Sequence, residues 1–170
     1  MKYIFGIDPG TIKSGYILLS LSKNNIFDIL DKNHIDNNKI KRIIINKYIS
    51  YHTIEVAIET IVSYGMRIGQ STIETAIWAG RFFQIMQDLG IEVQMITRPD
   101  VKLNLCHDSR AKDKNVTQAI KDRFGNIGTK NNQGRLYSLK TGIEKGGREH
   151  VLSALAVATT YIDKIYGKCK

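Results

Sequence analysis

The chain has 170 residues, 42% of them hydrophobic and 24% charged, which suits one globular domain with a sizeable core. Its 25 Lys and Arg outnumber 16 Asp and Glu, and the net charge of +9 favours a polyanionic partner, nucleic acid or an anionic membrane surface. No run approaches the roughly 18 apolar residues of a membrane helix, and Cys106 and Cys169 stand alone, which excludes a disulfide framework and a CxxC zinc site.

Three strands open the chain, at 2–8, 14–22 and 26–33, with Lys23-Asn24-Asn25 as the turn between the last two. The chain enters the first strand with no cationic-then-apolar leader, so a cytoplasmic protein is expected. Residues 38–49 place Ile40, Ile43, Ile44 and Ile45 opposite lysines and predict a short helix. An apolar strand follows at 54–59. Gly65 and Gly69 break the chain before a long amphipathic helix over 70–89, where Ile73, Ile77, Trp78, Phe82, Ile85 and Leu89 recur at helical spacing and Gly90 closes the element. A fifth strand spans 91–96. Pro99 opens a short helix to Leu105, and another helix runs over 112–124. Asp100, Asp108 and Asp113 read as caps or first-turn acids. Residues 125–147, rich in Gly, Asn, Lys and Arg, read as a long basic loop, and a last helix covers 148–165. Three strands, then helices alternating with two more strands, then closing helices predict an α/β ribonuclease H-like fold. It is a five-stranded mixed sheet flanked by helices, in a single domain over 1–170.

Two of these strands end on acids. Phe5-Gly6-Ile7-Asp8 delivers a carboxylate into the Pro9-Gly10 turn, and Ile54-Glu55-Val56-Ala57-Ile58-Glu59 does the same at its own end. A carboxylate on the rigid end of a central strand needs compensation, and a divalent cation supplies it. Adjacent strands ending in Asp8 and Glu59 build the oxygen-rich corner that Mg²⁺ prefers. Taken singly, Asp8 also suits a turn cap, and Glu59 a solvated strand end, the role expected of Glu55.

Further pieces follow in order: Gly6-Ile7-Asp8-Pro9-Gly10-Thr11, Ala57-Ile58-Glu59, Tyr64-Gly65-Met66, Trp78-Ala79-Gly80-Arg81, Arg98-Pro99-Asp100-Val101-Lys102, Arg110-Ala111-Lys112-Asp113-Lys114-Asn115-Val116 and His150-Val151-Leu152-Ser153-Ala154-Leu155-Ala156-Val157-Ala158. This ordered set resembles the RuvC family of Holliday junction resolvases, in particular its phage-type members. The resemblance implies a homodimeric nuclease that nicks two opposed strands of a four-way DNA junction symmetrically. It also implies the cytoplasm of a host cell if the gene is phage-borne, no membrane, and no small-molecule cofactor beyond a metal. By position it makes Asp8 and Glu59 the first two metal ligands. The family's last acidic pair falls on His150 and Ser153, a departure. Imidazole ligates divalent metals, Ser153 would act only through a water or an oriented hydroxyl, and Glu149 lies one residue out of register but within reach. The catalytic set expected is thus Asp8, Glu59, His150 and Glu149, with Mg²⁺ as cofactor and Mn²⁺ as a substitute that tolerates imidazole.

The basic residues fit a junction. Lys112 and Lys114 flank a helix start, and Lys130, Arg135, Lys140, Lys145 and Arg148 sit on or beside the loop leading into the last helix. Tyr64 and Met66, just past Glu59, are placed to press against bases at the branch point. Each has a plainer reading: solvated lysines, core or dimer-interface positions for Tyr64 and Met66, and packing for His150, Ser153, Trp78, Phe82 and Phe83. Two rival functions stand beside the resolvase, a broader flap or fork nuclease and a junction-binding module that has lost catalysis. The Asp-Pro-Gly-Thr turn also recurs in the phosphate loops of actin-like ATPases, but these need a duplicated domain for which 170 residues leave no room.

Overall fold

Strand β1 (Lys2–Asp8), strand β2 (Lys13–Leu21) and strand β3 (Phe27–Asp36) form an antiparallel meander, because the turns between them are too short for a crossover. The coordinates are a computed structural model that describes residues 1–168 apart from 25, 52, 64, 66, 126 and 127. Strand β4 (Ile54–Thr60) lies parallel to β1 and strand β5 (Glu92–Thr97) parallel to β4, so the sheet order is β3-β2-β1-β4-β5. Parallel neighbours need crossovers, and helices α1 (Asn37–Tyr51) and α2 (Gln70–Asp88) supply them. The five-stranded mixed sheet flanked by helices is the one expected from the sequence.

Period-2 alternation along the strands divides the core between two faces. Phe5, Ile7, Tyr16, Leu18, Val56 and Ile58 meet Ile40 and Ile44 of α1 and Ala79, Phe82 and Met86 of α2 on one face. Ile4, Ile17, Leu19, Ala57 and Ile96 face the other layer, where helix α5 (Gly147–Tyr166) buries Val151, Leu155, Ala158 and Ile162. Helices α3 (Arg98–Cys106) and α4 (Asp113–Phe124) complete that layer. Thr97 and Asp100 close a reciprocal capping box at the start of α3, with Pro99 in its first turn, so Asp100 is a cap as expected.

Helix α5 rests directly on β1 and β2 because two glycines let it. A Cβ on Gly6 would stand 2.4 Å from the Ala154 carbonyl oxygen, and one on Gly15 2.5 Å from the His150 backbone. Any side chain at either position would push the helix off the sheet.

Three features depart from the sequence reading. β3 continues to Asp36, because its polar second half keeps register with β2 as far as Lys13. The basic loop contains a 3₁₀ turn, Tyr137–Lys140, anchored by fully buried Leu136 and Leu139. Glu55 is not a solvated strand end: Tyr161 and Tyr166 both donate to its carboxylate, and Lys2 Nζ lies 3.4 Å away. Among the described residues no helix is long and apolar enough to cross a membrane.

Candidate active site

One transverse row of the sheet builds the site. His34 pairs with Gly15, Gly15 pairs with Asp8, and Glu59 follows the Ile7–Ile58 pair on the neighbouring parallel strand. All four positions face the α5 layer by the alternation that sends Ile4, Ile17 and Ala57 there. The first turn of α5 lies over the middle of this row. His150 Nδ1 sits 2.9 Å from Asp8 Oδ2, and its ring stacks on His34 with centroids 4.5 Å apart.

Glu59 is held from the other side. Arg98, the first residue of α3, places Nη1 3.3 Å from Glu59 Oε2 and Nη2 3.0 Å from Asp113 Oδ1. Lys102 Nζ, one turn further along α3, lies 3.4 Å from the same Asp113 oxygen. Burial pushes the Glu59 carboxyl up to about 7, with Asp8 adding to the shift and Arg98 offsetting part of it. The hydrogen bond to Asp8 raises His150 above its ordinary value, against the effect of burial. Asp113 is pushed up by burial, but Arg98 and Lys102 outweigh this and hold it low.

These groups line a cleft of about 800 Å³. Asp8 and Glu59 form its floor, while Arg148, Glu149, His150 and Ser153 come from α5. Lys114, Thr117, Gln118 and Lys121 enter from α4 at the i, i+3, i+4, i+7 spacing of one helix face. The result is a pair of acids at the bottom of a basic-walled groove.

Seven predicted residues therefore converge: Asp8, Glu59, His150, Glu149, Ser153, Lys114 and Arg148. Lys112 is the N-cap residue of α4, exposed beside the cleft but not lining it. Lys130 lies on the exposed loop, also away from the lining. Arg135 stands at the opposite end of the sheet. It donates to the Phe27 carbonyl oxygen at 2.6 Å and lies over the Phe27 and Phe124 rings, a packing role. Tyr64 and Met66 fall outside the described residues. Sequence reasoning missed Arg98, Lys102, Lys121 and His34. Arg98 was within reach, since it follows directly on the strand that neighbours β4. His34 was not, because only the strand register shows that it shares a row with Asp8.

Among the described residues, no three His, Cys, Asp or Glu side chains are grouped closely enough to hold an ion as they stand. The donor chemistry nevertheless fits a divalent cation. Two hard carboxylates lie side by side and an imidazole lies on one of them, while Arg98, and His150 when protonated, supply the positive charge that a metal would. Loading an ion would require Arg98 to yield the Glu59 oxygen it holds and a protonated His150 to lose its proton.

No protein-family model matches the chain, and no curated protein sequence does. Solved structures do match. Thermus thermophilus RuvC in complex with a Holliday junction substrate has a TM-score of 0.65 at 16% identity, over 94% of this chain and 92% of that one. The yeast mitochondrial Holliday junction resolvase Ydc2 gives 0.60 at 9% identity, over 95% and 79%. The fowlpox virus resolvase, solved with Holliday junction DNA, gives 0.56 at 12% identity, over 96% and 99%. These likenesses cover 94% to 96% of this chain, and the chain has the ribonuclease H-like fold of these proteins.

Proposed function

We propose that the chain is a Holliday junction resolvase, a metal-dependent endonuclease that nicks branched DNA symmetrically. The observation that carries this reading is the pairing of Asp8 and Glu59 at adjacent strand ends, on the floor of a groove walled by Lys114, Lys121 and Arg148. A protein that only bound DNA would gain nothing from two carboxylates facing the phosphates. The junction complexes of the similar structures make a four-way junction the branched substrate of choice.

Asp8, Glu59 and His150 would hold Mg²⁺ or Mn²⁺, with Glu149 in reach from the same helix turn. Bound there, such an ion supplies Lewis-acid chemistry: a more acidic water and charge relief at the leaving 3′-oxygen. The chain's own residues set the stage. Lys114, Lys121 and Arg148 fix the phosphate backbone over the floor. His150, once neutral, keeps Nδ1–H on Asp8 and offers Nε2 to the ion, beside the attacking water in the cleft. Ser153 lies one turn further along α5 and offers a hydroxyl to orient that water.

Two nicks on opposed strands require two sites, so the reading includes a homodimer. The first half of α2 supports it: Ile73 and Ile77 are 40% and 49% exposed on one stripe, with Ile68 beside them at 49%.

A second reading, a junction-binding module with weakened catalysis, is favoured by the absence of a ready metal cage among the described residues. One experiment separates the two. An end-labelled four-way junction is incubated with the protein in Mg²⁺ or Mn²⁺, beside flap, fork and linear duplexes. Paired symmetric nicks on the junction alone support the resolvase, and nicking of flaps and forks as well supports a broader nuclease. Metal-independent binding with no nicks leaves the binding module.

A further inference from the structure

His34 lies outside the groups assigned above, yet it completes the row that carries Asp8. Its partner across the sheet is Gly15, and the partner of Gly15 is Asp8. With no side chain at Gly15, the backbone of His150 approaches to where a Cβ would be 2.5 Å away. The His150 ring thus drops between Asp8 on one side and His34 on the other. The two imidazoles are nearly parallel, 7° apart with centroids at 4.5 Å, an offset-stacking distance. Apart from its bond to Asp8, His150 is open to solvent: 48% of its side chain is exposed, at the first turn of a helix.

His34 is in turn fixed on two sides. Its Nδ1 lies 2.9 Å from Glu144 Oε1, and Lys13 Nζ reaches the other Glu144 oxygen at 2.6 Å. Gly147, the first residue of α5, closes over it so tightly that a Cβ there would stand 2.6 Å from His34 Cβ. Only 13% of the His34 side chain is exposed. The held ring therefore serves as a surface for the more exposed one.

We propose that His34 is a positioning residue, a platform clamped by Glu144 and Gly147 on which the His150 ring stacks with Nδ1 on Asp8 and Nε2 turned to the cleft. The role of His150 in catalysis rests on the proposed nuclease reading; the platform itself does not. An exposed histidine samples several rotamers, and fixing one costs conformational entropy that the stack offsets. Residues that orient a metal-ligating histidine change metal affinity by about 10–100-fold when removed.

The test compares His34→Ala, His34→Phe and the unaltered protein. Imidazole proton shifts of His150, recorded by NMR without metal, should lose their ring-current displacement in His34→Ala and keep it in His34→Phe. Mn²⁺ affinity, measured on the protein alone, should fall about tenfold in the alanine variant and return to within threefold in the phenylalanine variant. Junction affinity should not change. If thermal melting shows His34→Ala misfolded, Glu144→Ala releases the ring without opening the core and should give the same shift change and a smaller loss of Mn²⁺ affinity. Unchanged His150 resonances and unchanged Mn²⁺ affinity in the folded variants would overturn the platform. So would a loss that His34→Phe fails to restore. Should no branched DNA be cut even by the unaltered protein while the shift and affinity changes hold, the nuclease reading fails and the platform stands.

Discussion

Glu59→Gln should make the protein more stable and inactive at once, and the gain should depend on pH. In the folded, metal-free protein the Glu59 carboxyl is pushed from its ordinary 4.5 up to about 7, first by burial and then by Asp8. The native state therefore holds a proton that the unfolded chain has released. Stability falls as pH rises between these two values, because the native state binds more protons there. The gap between 4.5 and about 7 amounts to about 3 kcal/mol by pH 8. Glutamine keeps the shape and carries no charge, so it matches the protonated acid near pH 5 and escapes the penalty at pH 8. Arg98 retains Asp113 as partner after the substitution. For a chain of this length about 3 kcal/mol corresponds to roughly 6–12 °C in melting temperature. The assay is thermal melting of both proteins with chelator at pH 5 and pH 8. A variant with the same melting difference at both pH values, or one destabilised at pH 8, would refute a strained carboxylate at Glu59.

Asp8→Asn should abolish junction cleavage while leaving gel-shift affinity within about threefold, since Asp8 offers nothing to phosphate. Mn²⁺ affinity should rise from pH 6 to pH 8, because the raised His150 imidazolium and the raised Glu59 acid must both lose protons before they ligate; calorimetry in buffers of different ionisation heat should detect the released protons. Lys114→Ala and Lys121→Ala should each lower the salt dependence of junction binding by about one counterion, read as the slope of log affinity against log salt. Arg135→Ala should leave that slope alone and reduce stability by about 1–2 kcal/mol, read by urea unfolding, through loss of its Phe27 carbonyl bond and its contacts with the Phe27 and Phe124 rings.

Much of this site was legible in the sequence because it is built from chain-local signals. An apolar run that ends in Asp8, and another that ends in Glu59, say both that a strand stops and that an acid sits at its tip. The i, i+3, i+4 spacing in 70–89 and the Gly90 stop placed α2 to within a residue. What escaped depends on which strands are neighbours and in what register. Nothing near His34 in sequence marks it, since its significance comes from Gly15 across β2 and from α5 more than a hundred residues later. Arg135 misled for the converse reason. A basic residue in a basic loop reads as a phosphate contact, but Phe27 and Phe124 claim it at the far end of the sheet. Glu55 was read as solvated because Tyr161 and Tyr166 reach it from the C-terminal helix, a contact that β4 alone does not reveal.

The charges around the site explain how this chain can fold without a metal. Two carboxylates at neighbouring strand ends repel each other, and an acid in place of His150, in direct contact with Asp8, would leave the site badly unbalanced. His150 in that place reverses the problem: as an imidazolium it neutralises Asp8, while Arg98 partly neutralises Glu59. Without metal, Asp8 is thus compensated and Glu59 only in part, by groups that an arriving ion would have to displace or deprotonate. On the proposed reading, that exchange would make loading weaker and more dependent on pH than at a site of carboxylates alone. It also ties the ion to substrate, since Arg98 and Lys102 would be freer to meet a phosphate once Glu59 has turned to the metal. Histidine at 150 is on this view a trade of metal affinity for a stable empty state, and His150→Asp should reverse it: tighter Mn²⁺ binding, but a lower melting temperature without metal. Weaker Mn²⁺ binding with unchanged melting would show that imidazole is the better ligand here and that compensation is not what position 150 provides.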